Sequence, residues 1–278
     1  MRYQFGVTDF VHHDALTRLT ASERRLSTAL ARPRLIAVAC IVALCALGWG
    51  ALGLLAAGFG DGSLALTALC RINPSLGWSE LVLAAAMWAA MVLAMMLPTA
   101  GPMILTYAEI ADTAAWKREP AVSPLVLAAG YIAAWLGFAL LAASLQFALA
   151  RAGLMDAGSV GNLFAGAVFF GAGFYQFSAL KQACLTQCQR PFPFFFSNWT
   201  TEPSGVLRLG LRQGMYCIGC CWAMMLLMFA VGAMNFVWMA ALGVVMTIEK
   251  MTTTALFSRA AGVVLIAAGF GMLAMSVV

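Results

Sequence analysis

Residues 214–228 read Gly-Met-Tyr-Cys-Ile-Gly-Cys-Cys-Trp-Ala-Met-Met-Leu-Leu-Met and lie within an apolar run over 208–233. A run of this length crosses the roughly 30 Å hydrocarbon layer of a membrane as an α-helix. On such a helix, sulfur atoms at i, i+3, i+4, i+7, i+8 and i+11 share one face. The side chains at these positions are Cys217, Cys220, Cys221, Met224, Met225 and Met228. The stretch therefore predicts a membrane helix with a sulfur-bearing face.

The composition extends this prediction to a protein with several membrane helices. Hydrophobic residues make up 63% of the 278 residues, charged residues make up 10%, and the mean hydropathy is +0.91. A soluble globular domain carries far more charge. We predict an all-α polytopic membrane helix bundle with seven spans, at 35–59, 81–107, 124–150, 159–180, 208–233, 236–250 and 259–277. Because the run over 236–250 is short, six spans are the alternative.

Lysine and arginine residues predict the orientation of the bundle. Fourteen of the 16 fall on one side of the predicted spans, and only Arg71 and Arg151 fall on the other. The positive-inside rule then places the N-terminus in the cytoplasm. The same bias explains the net charge of +5 without a nucleic-acid partner. Residues 1–34 would be a cytoplasmic tail, either solvated or folded as an amphipathic interfacial helix, and 35–278 would be the transmembrane domain.

Two further cysteines should approach the sulfur-bearing face. Cys184 and Cys188 follow the fourth span on the cytoplasmic side, and they share a face at i and i+4 if a helix continues to Pro191. The cysteines of the fifth span lie one to two turns from the same end. We therefore expect five thiols to meet near the inner side of the membrane, where thiolates would select a soft metal. They are Cys184, Cys188, Cys217, Cys220 and Cys221.

Other side chains at this level are candidate ligands or neighbours of the metal. The second span ends in Ala94-Met-Met-Leu-Pro-Thr-Ala-Gly-Pro-Met103, whose prolines should kink or unwind the helix. Charged residues at the end of the sixth span are functional candidates by their position. The candidates are Met95, Met96, Met224, Met225, Glu249 and Lys250. Methionine packing and a helix end that meets lipid headgroups are the structural alternatives.

Several functions are not expected from this sequence. The two histidines, His12 and His13, lie in the N-terminal tail, so a bis-histidine haem or a histidine-based catalytic triad within the membrane is excluded. The sequence has no G-x-x-x-x-G-K-[ST] loop, so we do not expect an ATP-driven pump. The remaining cysteines are interpreted as small buried residues without a ligand role. They are Cys40, Cys45 and Cys70.

Four blocks of sequence carry a family resemblance. They are Ala94-Met-Met-Leu-Pro-Thr-Ala-Gly-Pro-Met103, Tyr175 to Cys188, Gly214-Met-Tyr-Cys-Ile-Gly-Cys-Cys-Trp-Ala-Met-Met225 and Gly232 to Lys250. In these blocks the chain resembles a bacterial family of predicted metal-binding integral membrane proteins, a domain of unknown function. The resemblance implies a bacterial inner-membrane protein with a metal site. The family pattern has a histidine where this chain has Gln213, which implies a site that depends more completely on sulfur.

We interpret the chain as a membrane metal-handling protein rather than an enzyme. Cys217, Cys220 and Cys221 would form the core of the site, and Cys184 and Cys188 would form a cytoplasm-facing pair. Two or three thiolates suit Cu(I), whereas four sulfur ligands suit Zn(II) or an iron–sulfur centre, which stay as alternatives. Binding to thiolates should release protons. The expected partners are the bilayer, the ion and a metal donor or acceptor protein; the oligomeric state is not predicted.

Two other functions stay open at this stage. A membrane thiol–disulfide oxidoreductase coupled to quinone would use the two pairs Cys217/Cys220 and Cys184/Cys188. Against it, the predicted topology places both pairs on the reducing side of the membrane. A structural or assembly subunit of a membrane complex, in which the cysteines only pack, is the second alternative.

Overall fold

The protein is a bundle of α-helices, seen in a computed structural model that describes residues 33–57, 78–117, 121–152, 159–231, 236–252 and 254–277. These residues contain no β-strand, so the predicted all-α class is confirmed for them. The helices are α1 (Pro33–Ala57), α2 (Trp78–Met91), α3 (Leu97–Trp116), α4 (Pro124–Arg151), α5 (Ser159–Tyr175), α6 (Ala179–Gln189), α7 (Pro191–Ser197), α8 (Pro203–Val231), α9 (Phe236–Met251) and α10 (Ala255–Val277). The predicted tail at 1–34 lies outside the described residues except for its last two positions, as does Cys70.

Five helical segments of the described chain are long and apolar enough to cross a membrane. They are Ala37–Leu54, Leu81–Ala114, Pro124–Arg151, Pro203–Ala230 and Ala255–Ala274. A sixth span results if α5 and α6, which meet at a bend of 65°, form one broken span. These helices are consistent with an integral membrane protein, whereas the predicted count of seven spans is not confirmed.

The difference from seven spans lies in α9. This helix has 16 residues, which gives a length of about 24 Å and leaves it shorter than the hydrocarbon layer. It nevertheless follows the second span over several turns. A side chain at Gly243 would meet Met95 Cε at 3.6 Å, and Lys250 Nζ lies 2.7 Å from Thr99 Oγ1. α9 therefore packs one face against the bundle and runs toward the end where Thr99 lies.

The second span continues through its prolines as a single helical segment, Leu81–Ala114. The residues Val92–Met96 form a π-helical turn between α2 and α3. Pro98 has no N–H for the carbonyl of Ala94, and the thiol of Cys45 donates to that oxygen at 3.5 Å instead. The predicted kink or unwinding is thus replaced by a local π-bulge, which accommodates the proline without ending the helix.

Glycines allow α4 and α8 to pack with their backbones in direct contact. A Cβ atom at Gly130 would overlap the carbonyl of Leu207, and one at Gly210 would overlap the carbonyl of Leu127. Small residues permit this close approach of membrane helices. The contact matters for the site because Tyr131 follows Gly130 on α4, while Cys217 lies on the adjoining part of α8.

A sharp bend places α6 against α8. α5 ends at Tyr175 and α6 begins at Ala179, where the hydroxyl of Ser178 accepts a hydrogen bond from the N–H of Lys181. α6 ends at Gln189, just before Pro191, as the sequence predicted. Cys184 and Cys188 therefore lie on one short helix that packs beside the sulfur-bearing part of α8.

Candidate metal centre

Three cysteine sulfurs converge in the described structure. The Sγ atoms of Cys188, Cys217 and Cys220 all lie within 4.8 Å of one another. Cys217 and Cys220 are buried on α8, and Cys188 approaches them from α6 with its side chain partly buried. The Sγ atoms of Cys188 and Cys220 are 4.0 Å apart. The cluster therefore joins cysteines from two different helices, α6 and α8.

The spacing of the three sulfurs fits a single soft metal ion. Metal–sulfur bonds of about 2.3 Å place three sulfurs about 4.0 Å apart in a planar site and two sulfurs about 4.6 Å apart in a linear site. The 4.0 Å between the Sγ atoms of Cys188 and Cys220 matches the planar value, and the other two separations do not exceed 4.8 Å. Thiolates are the ligands that select Cu(I). The arrangement can therefore hold a thiolate-bound ion after little movement.

The sulfur of Cys217 contacts polar side chains from two other helices. Lys250 Nζ lies 2.9 Å from it, and the Tyr131 hydroxyl lies 3.0 Å from it. The same Lys250 ammonium donates to the hydroxyl of Thr99 at 2.7 Å. The positive charge of this ammonium would compensate part of the negative charge of a thiolate at Cys217.

Tyr131 has one hydroxyl proton and two acceptors. Its oxygen lies 3.1 Å from the carbonyl of Met96 and 3.0 Å from the sulfur of Cys217. The carbonyl can only accept. When Cys217 is a thiol, the thiol can donate to Tyr131 while Tyr131 donates to Met96; when Cys217 is a thiolate, the hydroxyl can turn toward the sulfur. Tyr131 therefore suits both protonation states of the ligand.

The other two predicted cysteines border the converging group. The sulfur of Cys221 lies 3.3 Å from that of Cys220, but Cys221 does not belong to the group of three. Cys184 packs against the backbone of α8, where its Sγ would lie 2.6 Å from a Cβ at Gly219. The converging group therefore contains Cys217 and Cys220 of the predicted core and Cys188 of the predicted pair, whereas Cys221 lies outside it.

The two charged candidates have different surroundings. Lys250 touches the cluster through Cys217, as described above. Glu249 is buried and forms an ion pair with Lys181, whose Nζ lies 2.7 and 2.9 Å from the two carboxylate oxygens. Lys181 also donates to the side-chain oxygen of Gln176. The carboxylate of Glu249 is therefore engaged by α6 rather than directed at the three sulfurs.

The methionine candidates lie in the core around the cluster. Met95, Met96, Met224 and Met225 are all buried. Met95 packs toward Gly243 of α9, and the carbonyl of Met96 accepts the bond from Tyr131. No contact of a methionine sulfur with the three cysteines is seen in the described structure, so these methionines stay candidates.

A small cavity adjoins the cluster and includes residues that the sequence did not identify. Its lining includes two of the three converging cysteines: Thr99, Ala100, Met103, Tyr131, Cys188, Gln213, Cys217 and Lys250. Gln213 is buried, donates to the carbonyl of Gln187 at 3.1 Å and leaves its own side-chain oxygen without a partner in the described structure. Tyr131 and Thr99 carry no local signal, whereas Gln213 was marked only by the family resemblance.

The comparisons with known proteins point to copper. The sequence profile of one protein family, described as PpoB2, copper chaperone, matches residues 85–272. This segment contains every cysteine of the cluster together with Tyr131 and Lys250, and the match fits the metal-binding family that the sequence blocks resemble. No curated protein and no solved structure matches the chain.

Proposed function

We propose, from the fact that the chain belongs to the PpoB2 copper chaperone family, that it holds Cu(I) within the membrane as cargo and passes it to a partner protein. The observation that carries this proposal is the convergence of Cys188, Cys217 and Cys220 within 4.8 Å. Three thiolates are a ligand set that Cu(I) accepts. The five membrane-length helices support a location in the bilayer, and the positive-inside bias supports a cytoplasmic N-terminus. The bacterial inner membrane is implied by the family resemblance.

A positive side chain reduces the net charge that a Cu(I) ion and its thiolate ligands would place in this site. Three thiolates and one Cu(I) ion sum to a net charge of −2, which is costly in a poorly solvated bundle. The Lys250 ammonium, 2.9 Å from Cys217, reduces this to −1. The ammonium donates to a sulfur and does not occupy a coordination position of the ion. It therefore lowers the free-energy cost of burying the charged site and leaves all three sulfurs able to bind the metal.

Transfer to a partner requires that a new ligand reaches the ion. The cavity beside the cluster is lined by Cys188 and Cys217 together with Gln213. Because Cys188 belongs to the short helix α6 and the other two belong to α8, a small movement of α6 would convert a three-coordinate site into a two-coordinate one. Two-coordinate thiolate sites also suit Cu(I), so the ion would stay bound while a partner's sulfur approaches.

The direct test is metal analysis of the purified protein after anaerobic loading with Cu(I). We expect stoichiometric copper in the native protein and its loss in the Cys217→Ser/Cys220→Ser double variant. The matched control is Cys40→Ser on α1, which should retain copper because Cys40 lies outside the cluster. Undiminished copper in the double variant would show that these sulfurs are not the site.

A second candidate is the thiol–disulfide oxidoreductase, favoured by the 4.0 Å separation of the Cys188 and Cys220 sulfurs. The lysine beside Cys217 and the family match favour copper handling instead. Alkylation of native membranes separates the two. Thiols protected by metal become reactive after a Cu(I) chelator is added, whereas thiols in a disulfide become reactive only after a reductant is added.

A further inference from the structure

The apolar core that holds the cysteines is rich in methionine. Among the described residues ten methionines are buried, and all of them belong to the second span, α8 or α9: Met87, Met91, Met95, Met96, Met103, Met224, Met225, Met228, Met239 and Met246. They lie in the same buried cluster of apolar residues as Cys217 and Cys220. By contrast, Met215 and Met251 on the same helices are 58% and 72% exposed. Burial therefore separates the methionines into an inner and an outer set.

Contacts between the helices show how these inner methionines are aligned. At the level of the cluster, Lys250 of α9 bridges Thr99 of α3 and Cys217 of α8. Farther along, the rings of Trp88 on α2 and Phe229 on α8 lie 5.2 Å apart. The second span and α8 are thus antiparallel neighbours. The buried methionines of these two helices lie between the level of Cys217 and the level of Trp88. The two exceptions are Met103, which lines the cavity, and Met87, which precedes Trp88 in the chain.

The aligned stretches have similar lengths. From Thr99 back to Trp88 the second span covers about 16 Å, and from Cys217 to Phe229 α8 covers about 18 Å. α9 lies beside the second span at two points, where Gly243 faces Met95 and Lys250 reaches Thr99. These levels place the buried methionines of the three helices at depths that begin at the cysteine cluster and lead away from it, and we call this set of methionines the column.

Aromatic residues mark the far end of the column. Trp88 packs against Phe138 of α4 with ring centroids 6.3 Å apart, and it donates to the side-chain oxygen of the buried Gln146 at 2.7 Å. The side-chain nitrogen of Gln146 has no hydrogen-bond partner in the described structure. Aromatic faces attract cations, so the layer that ends the column is compatible with a positive ion in the column.

We propose that this column is a second, thioether-lined binding region for Cu(I), continuous with the thiolate cluster. The proposal rests on the proposed copper function and adds a place for the ion beyond the three cysteines. Thioethers are soft ligands that select Cu(I). They carry no charge, so an ion bound there is held more weakly than at thiolates and can return to the cluster or move on. Ordinary packing of flexible methionines is the competing explanation.

The test is an anaerobic Cu(I) titration of the full-length protein in detergent, in competition with a chromophoric Cu(I) chelator. One variant is Met91→Leu/Met225→Leu, which removes two inner thioethers with nearly unchanged volume. The matched control is Met215→Leu/Met251→Leu, which changes the same number of exposed methionines. The third protein is Cys217→Ser/Cys220→Ser.

We expect the native protein and the control to bind a tight equivalent and a second, weaker one. The inner-methionine variant should keep the tight equivalent, which also shows that it is folded, and should bind the weaker one at least tenfold less tightly. The cysteine variant should lose the tight equivalent and keep the weaker one. A native protein with one equivalent, or an unchanged second equivalent after Met91→Leu/Met225→Leu, would show that the column only packs. Retention of the tight equivalent in the cysteine variant would instead contradict the thiolate site and leave the column supported.

Discussion

Cys217 connects the candidate metal site to the rest of the protein. Its sulfur belongs to the converging group and also contacts Lys250 and Tyr131, which come from two other helices. The sequence identified Cys217 by its spacing and Lys250 by its position at a helix end. Tyr131 has neither signal, because a tyrosine within an apolar span has many possible packing roles. Only the packing of α4 on α8 shows that its hydroxyl faces the ligand.

Replacement of Lys250 tests the electrostatic part of the site. Lys250→Met keeps the length and apolar stem of the side chain but removes the charge beside Cys217. We expect Cu(I) affinity to fall about ten- to a hundredfold, because a hydrogen bond to a charged group contributes about 1.5–3 kcal/mol. Competition with a Cu(I) chelator measures this change. Lys117→Met, which alters an exposed lysine, is the control, and equal affinities in the two variants would refute the role of Lys250.

The position of α6 depends on α9. The buried ion pair of Lys181 with Glu249 joins these helices, and the side-chain amide of Gln189 donates to the carbonyls of Glu249 and Thr252 at 3.0 and 2.6 Å. Cys188 lies between these two attachments in the chain. α9 therefore holds Cys188 through Glu249 and contacts Cys217 through the next residue, Lys250.

Loss of the ion pair should loosen α6. Glu249→Gln leaves Lys181 as an uncompensated buried charge, for which a destabilisation of about 3–5 kcal/mol is typical. We expect Cys188 to react faster with a maleimide in native membranes and copper to be held less tightly. The rate is read by mass spectrometry.

The double variant Lys181→Met/Glu249→Gln supplies the control, because it removes both charges. Its Cys188 reactivity should return toward the native value. A Glu249→Gln protein with native Cys188 reactivity would mean that Gln189 alone holds the helix.

The addition of a single methyl group tests the contact between α4 and α8. A Cβ atom at Gly130 overlaps the backbone of α8, so Gly130→Ala should push the helices apart and separate Tyr131 from Cys217. We expect a lower thermal unfolding midpoint in detergent and weaker Cu(I) binding. Gly137→Ala on the same helix is the matched control, because nothing lies within 4 Å of a Cβ there. If both variants unfold at the same temperature, the close contact is not needed for stability.

The number of times that the chain crosses the membrane depends on α9. α8 leads away from the level of Cys217 toward Phe229, and α9 returns to that level with Lys250. α10 then packs antiparallel to α5, with Gly262 beside Gly173 and Gly269 beside Gly166. These directions favour α9 as a further crossing, although it is too short to qualify by length alone.

A topology reporter can distinguish six membrane crossings from seven. With seven crossings, a reporter fused after α10 lies on the side of the membrane opposite to one inserted ahead of α1. Combined with the positive-inside bias, this predicts a periplasmic reporter after α10. Alkaline phosphatase activity at that fusion would support it, whereas a cytoplasmic reporter active at both positions would favour six crossings.

Much of this architecture was predictable because it depends on properties that are local in sequence. Apolar run length and helical periodicity indicated the membrane helices and the shared face of Cys217, Cys220 and Cys221. The positions of Cys184 and Cys188 on one helix followed from their spacing and from Pro191. The number of spans was less certain from sequence, since a short helix can cross inside a bundle where its neighbours cover its ends.

By itself the sequence determined that this is an all-α chain with membrane-length helices and that soft, sulfur-based metal chemistry is available at one end of the bundle. Tertiary structure alone decided which sulfurs meet. Cys221 follows Cys220 directly, yet Cys188 from α6 completes the converging group, because a 65° bend directs α6 along α8 and a buried ion pair joins α6 to α9. Such a contact depends on the packing of helices that are separate in sequence, which the local spacing of residues does not indicate.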